Sequence, residues 1–155
     1  MKILTYLYTL LFSSFLIGQN LTGAWSSSTD QIQSVWIMTA NHFSITKYET
    51  DPAVFISTAG GSWATADDHV VLNWEFDTSS PEKVGTQTNV NFLQSDDNIQ
   101  WENTLWRRID KGQPGALQGA WLITGRKREG VISERVPGVR RTMKILSGTQ
   151  FQWIA

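Results

Sequence analysis

The chain has 155 residues, a net charge of −1, 17% charged and 41% hydrophobic side chains, and no cysteine. That balance suits one domain with a real core plus a smaller piece, and the missing cysteine excludes a disulfide framework and a lipidated-cysteine anchor. The average conceals a division: residues 20–110 carry twelve acidic and four basic side chains, a net of −8, whereas residues 111–155 carry two acidic and eight basic, a net of +6.

From the N-terminus, Lys2 precedes an apolar stretch, 3–17, that ends at Gly18-Gln19. This reads as a secretory signal peptide over 1–19, so a secreted or periplasmic location is expected. The run is short for a spanning helix, and no stable membrane insertion is expected after cleavage. Residues 20–110 then alternate short runs of Val, Ile, Phe, Trp and Thr with turn residues. The pattern predicts strands at 21–27, 34–39, 42–48, 54–58, 61–65, 69–76, 83–93 and 99–109, with no long helical periodicity. The connectors, among them Ala40-Asn41, Ala66-Asp67-Asp68 and Thr78-Ser79-Ser80-Pro81, suit hairpin after hairpin. An all-β, antiparallel, up-and-down barrel of eight strands is therefore expected. Alternation assigns Val35, Ile37, Phe43 and Ile45 to one face and Trp36 and His42 to the other, and places Trp74 with Leu72 and Phe76.

Residues 111–116, with two glycines and a proline, read as a linker. Beyond it the chain repeats itself. Leu21-Thr22-Gly23-Ala24-Trp25 returns as Leu117-Gln118-Gly119-Ala120-Trp121, and the run ending in Phe43 and Ile45 returns in the run ending in Phe151 and Trp153. Residues 117–155 are thus expected to be a truncated second copy, exposing Trp121, Ile145, Phe151 and Trp153 at open sheet edges. The spacing from Trp121 to Phe151 is 30 residues against 18 from Trp25 to Phe43, which predicts a longer loop in the second copy, bearing Arg126, Lys127, Arg128, Arg135, Arg140 and Arg141. Such a loop could reach a partner or cover a barrel mouth.

The Gly-Ala-Trp motif, with Arg107 and Arg108 at the end of the last predicted strand, resembles the lipocalin-like proteins. More narrowly, Phe151-Gln152-Trp153-Ile154-Ala155 and Ala59-Gly60-Gly61-Ser62-Trp63 are similar to runs in bacterial secreted proteins with tandem lipocalin-like domains. The resemblance implies a barrel whose first strand begins with Gly23 and Trp25 (Gly119 and Trp121 in the second copy), the indole stacking under Arg107 or Arg108. That role is structural.

The unit 20–110 holds six tryptophans, Trp25, Trp36, Trp63, Trp74, Trp101 and Trp106, more than an ordinary small core needs. Most belong to packing; Trp36, Trp63 and the neighbouring His42 are the candidates for contact with a ligand. Catalysis finds little support, because His42 and His69 lack the context of a nucleophile system. Asp67, Asp68 and His69 sit on one short turn without a second cluster, so no metal site and no cofactor are expected. Glu75 and Glu102 could serve a glycosidase only as an inward-facing pair. The acidic unit would repel phosphate, which argues against nucleic acid. The reading is a non-enzymatic, exported barrel holding a small hydrophobic or amphipathic molecule, the alternative being a solidly packed envelope module that contacts protein or glycan.

Overall fold

The computed structural model describes residues 21–95, 97–134 and 142–155. Residues 1–20, which include the segment read as a signal peptide, Asp96, and the loop arginines Arg135, Arg140 and Arg141 lie outside the described residues. Nine strands, β1 (Gly23–Thr29), β2 (Ile32–Met38), β3 (His42–Thr50), β4 (Ala53–Ala66), β5 (His69–Asp77), β6 (Gln87–Val90), β7 (Leu93–Ser95), β8 (Asn98–Trp101) and β9 (Thr104–Arg108), form one curled antiparallel sheet. Its order is β6-β5-β4-β3-β2-β1-β9-β8-β7. Every strand but the outermost two therefore neighbours its predecessor and successor, with β1 and β9 closing the succession side by side. The two outermost strands, β6 and β7, are separated in the chain by Asn91 and Phe92 alone.

Two-residue turns set these hairpins. Asp30, Asp67 and Glu102 each take positive φ (54°, 39° and 52°) between β1 and β2, β4 and β5, and β8 and β9. Asx-type residues tolerate that conformation best, which is why the aspartate-rich connectors were readable as turns.

The structure corrects three strand assignments. Residues 54–58 and 61–65 belong to one 14-residue strand, β4, which runs straight through Gly60-Gly61. There is no room for side chains there: a Cβ on Gly60 would meet the Phe43 carbonyl oxygen, and one on Gly61 that of Asn73. Glycine here serves close passage of neighbouring strands and not a turn. The expected strand 83–93 is divided among the end of a 3₁₀ turn (Pro81–Lys83), β6 and the start of β7, and 99–109 is divided into β8 and β9 by the turn at Glu102.

The face assignments also change. Trp36 pairs with Ile45 and Met38 with Phe43, so these four share the inner face, while Val35 and Ile37 point outward. Met38 and Phe43 face each other across four intervening residues, an even number, so facing positions on the two strands differ in parity. Likewise Gly61 pairs with Trp74 but Gly60 with Phe76, making Glu75 an extra, bulged residue that turns Phe76 to the outside, away from Leu72 and Trp74.

The tail folds onto this outer face. Strands β10 (Gly119–Leu122), β13 (Met143–Leu146) and β14 (Phe151–Ile154) form a three-stranded sheet, and β11 (Gly125–Arg128) with β12 (Val131–Glu134) a separate hairpin. Part of the expected basic loop is thus a hairpin, because Glu129 and Gly130, both at positive φ (49° and 84°), make a tight two-residue turn. Met143 and Ile145 are buried against Ala24 and Ile37, with Val35, Phe76, Ala120 and Ile154 around them. Ile145, expected to be exposed, has no accessible surface. Each such aliphatic side chain contributes about 1.5–3 kcal/mol when fully buried, enough to hold a small sheet in place.

Candidate binding cup and its closed base

The interior of the curled sheet has two levels. At the Gly23 end the Trp25 indole is fully buried and its Nε1 donates to the Leu21 carbonyl at 2.9 Å. Above the ring lies Arg108, its guanidinium carbon 3.9 Å from the ring centroid. Arg107 is exposed and makes no such contact, so the structure selects Arg108 for the stack. Arg108 Nη1 also donates to the Thr22 carbonyl at 3.0 Å, and Asp110 Oδ1 lies 3.7 Å from it. Asp110, buried, accepts from the Ala24 N–H at 2.7 Å and from the Gly112 N–H at 3.1 Å. Sequence reasoning placed Asp110 at the linker boundary and missed this role; its one signal was an acid two residues after the stacking arginine. Gly23, at φ +137°, is required: a Cβ would sit 2.5 Å from Arg108 Nη1.

Above this base comes a packed aromatic layer. The Trp36 ring centroid lies 5.2 Å from that of Phe92 and 5.3 Å from those of Trp101 and Trp106, and Phe43 meets Trp74 edge-on at 5.2 Å. Trp36 has no accessible surface. Trp63 is half-buried near the Gly23 end, where its Nε1 donates to the Thr39 carbonyl at 3.0 Å and fastens the turn between β2 and β3. His42, on the same turn, contacts the Asn41 side chain at 2.8 Å. The three residues singled out in the sequence are therefore not gathered at one opening.

A cavity of about 350 Å³ opens on the other side of the aromatic layer. Its floor is Ile45, Ala59, Trp74, Trp101 and Trp106, and its rim carries Lys47, Lys83, Asp77 and Glu102. Lys83 Nζ stands 5.7 Å from the Trp74 ring centroid, and the Trp74 Nε1 donates to the Thr88 hydroxyl at 2.9 Å. The Trp106 Nε1 is buried without an acceptor among the described residues. Asp77 is committed to a turn: its Oδ1 accepts from the Ser79 N–H and hydroxyl, both at 2.9 Å, and from the Ser80 N–H at 2.8 Å. Burial alone would raise its carboxyl pKa, but these hydrogen bonds, with Lys83 nearby, hold it below the ordinary 3.8. Asp77 is thus an anion at neutral pH and not a proton donor.

Glu75 lines the outside of the sheet and Glu102 the rim of the cup, so this pair does not face one another. On the β4–β5 turn, His69 Nδ1 lies 3.1 Å from Asp68, and that hydrogen bond holds the Asp68 carboxyl below its ordinary value. Among the described residues no group of three or more acidic or histidine side chains is placed to hold a metal ion.

A larger groove, about 870 Å³, runs outside between β4–β5 and β14, lined by Phe55, Phe76, Val84, Met143, Trp153 and Ile154. It is the seam between the two sheets, and its facing polar side chains Gln152 and Thr58 hydrogen-bond each other. The cup is the better candidate site, because there polar groups converge over an aromatic floor. Among the described residues no helix is long and apolar enough to cross a membrane. Comparison with family models, curated proteins and solved structures returned no match to this chain.

Proposed function

We propose that the chain is an exported, non-catalytic binding protein of lipocalin-like type, whose curled sheet acts as a barrel and holds a small amphipathic molecule in the cup. The observation that carries this reading is the cup itself: an aromatic floor for an apolar body beneath charged groups of both signs for a polar head. The lipocalin-like assignment is supported by Arg108 over Trp25 and by the adjacency of β1 and β9. That the tail is a partial second copy is supported by recurrent geometry. Trp121 Nε1 donates to the Leu117 carbonyl at 2.9 Å as Trp25 Nε1 does to Leu21, and the Ser147 N–H reaches the Gln150 carbonyl at 2.8 Å as Thr39 reaches His42.

One observation favours the second reading, a packed structural module: the layer around Trp36 fills the interior below the cup, leaving a shallow site. Titration of intrinsic tryptophan fluorescence with fatty acids, retinoid-like probes and haem separates the two. Saturable quenching that disappears in Ala59→Trp, which fills the cup, is the expected result. A flat response from the folded protein would transfer the assignment to the packed module.

A further inference from the structure

The small sheet has a second face, turned away from the curled sheet, and its composition is unusual. Across the three strands Trp121 pairs with Lys144 and Lys144 with Trp153, so the three side chains form one row on that face, with Trp153, on the edge strand β14, also bordering the seam groove. The next row adds Phe151 beside Leu146. Trp121, Phe151 and Trp153 are 52%, 69% and 59% exposed, and Lys144 is exposed between the two indoles, its Nζ 5.1 Å from the Trp153 ring centroid. Three large aromatic side chains on one water-facing sheet surface mark an interaction site.

The matching row of the curled sheet identifies what this face is not. There Trp25 pairs with Trp36 and Trp36 with Ile45, all directed into the core. Lys144 occupies the place that Trp36 holds, and an ammonium is costly to bury without a counter-charge. The face is therefore not built for an apolar cover, and among the described residues no ion pair engages Lys144. A second copy of the chain laid face to face would add another Lys144 to the same interface, so like charge opposes that occupant as well. Among the described residues the tail carries five basic side chains, Lys111, Arg126, Lys127, Arg128 and Lys144, against two acidic ones, Glu129 and Glu134, and this excess adds a field that attracts anions.

We propose that this face binds an acidic polysaccharide, with sugar rings stacked on Trp121 and Trp153 and a uronate carboxylate held by Lys144. The indoles stand two strand spacings apart, about 10 Å. Their electron-rich faces suit the polarised C–H groups of a sugar ring, and the lysine between them supplies the charge. This site is independent of the cup.

The test uses the full mature chain with oligogalacturonate as the probe and a neutral oligoglucan of equal length as the control, followed by calorimetry. Expected are saturable binding of the acidic chain, a loss of at least tenfold in affinity for Trp153→Ala and for Trp121→Ala, and in Lys144→Gln a loss of the preference for acidic over neutral chains. Because all three side chains are exposed, these variants should keep the wild-type circular dichroism spectrum. Absence of binding overturns the proposal. So does binding that survives both tryptophan substitutions but disappears on neutralising Arg126, Lys127 and Arg128, which would mark nonspecific polyanion attraction. Concentration-dependent dimerisation abolished by Trp153→Ala overturns it too, assigning the face to a second copy.

Discussion

Two strands of this protein open with the same Gly-Ala-Trp, and they meet different fates. In β1 the indole is fully buried beneath Arg108, which Asp110 accompanies; in β10 the same indole, with the same hydrogen bond to the residue four before it, is half in water. The motif therefore specifies a local shape, a glycine at φ +137° or +144° and an indole folded back on its own backbone. What caps the ring comes from distant chain, from Arg108 at the end of β9. A short motif can encode its geometry, but not its environment.

Substitutions at paired positions should expose this difference. The largest contrast is expected between Trp25→Ala, a cavity under a buried arginine costing about 3–5 kcal/mol, and Trp121→Ala, costing less than about 1 kcal/mol; urea unfolding of each variant measures it, and equal losses would break the comparison. Asp110→Ala should follow at about 3 kcal/mol, since it strands the Ala24 N–H and removes the buried carboxylate beside Arg108. Asp110→Asn, which preserves an acceptor, should recover part of that loss. Gly23→Ala should destabilise by about 2–3 kcal/mol and Gly119→Ala by about 1 kcal/mol: both incur the positive-φ strain, but only the first also drives a Cβ against Arg108, the nearest atom at Gly119 being 3.6 Å away. The smallest effect is expected at the rim. Asp77→Asn should cost about 1 kcal/mol at pH 7. Because the folded carboxyl has a depressed pKa, its stabilisation is present above the ordinary 3.8 and lost as pH falls through the lower folded value. Wild type and variant should therefore converge in thermal midpoint as pH falls below the ordinary carboxylate range; a constant gap would show that charge plays no part.

Much of the fold was legible because hairpins are local. Alternating β-branched residues and the aspartates of the β1–β2 and β4–β5 turns mark strands without reference to distant chain. What escaped was set by details of register that shift parity: the even span between the facing residues Met38 and Phe43 put Trp36 on the same side as Phe43 and Ile45, and the bulge at Glu75 moved Phe76 outward. The candidate site was less legible still. Trp74, Trp101 and Trp106 converge through the pairing of β9 with β1 and the curl of the whole sheet, a long-range arrangement that no window of sequence contains. Lys144 became informative only when the register of β13 placed it between two tryptophans.

The junction of β6 and β7 has a mechanical consequence. In polymer terms the curled sheet is a strip whose two edge strands are joined at one corner by Val90, Asn91, Phe92 and Leu93 in unbroken succession. Three peptide links reach at most about 11 Å, so the Val90 end of β6 and the Leu93 end of β7 cannot part further than that. Val90 and Phe92, both 4% exposed, anchor that bridge in the core. That corner thus works as a hinge with a fixed stop, while beyond it β6 is held by its pairing with β5 and β7 by its pairing with β8.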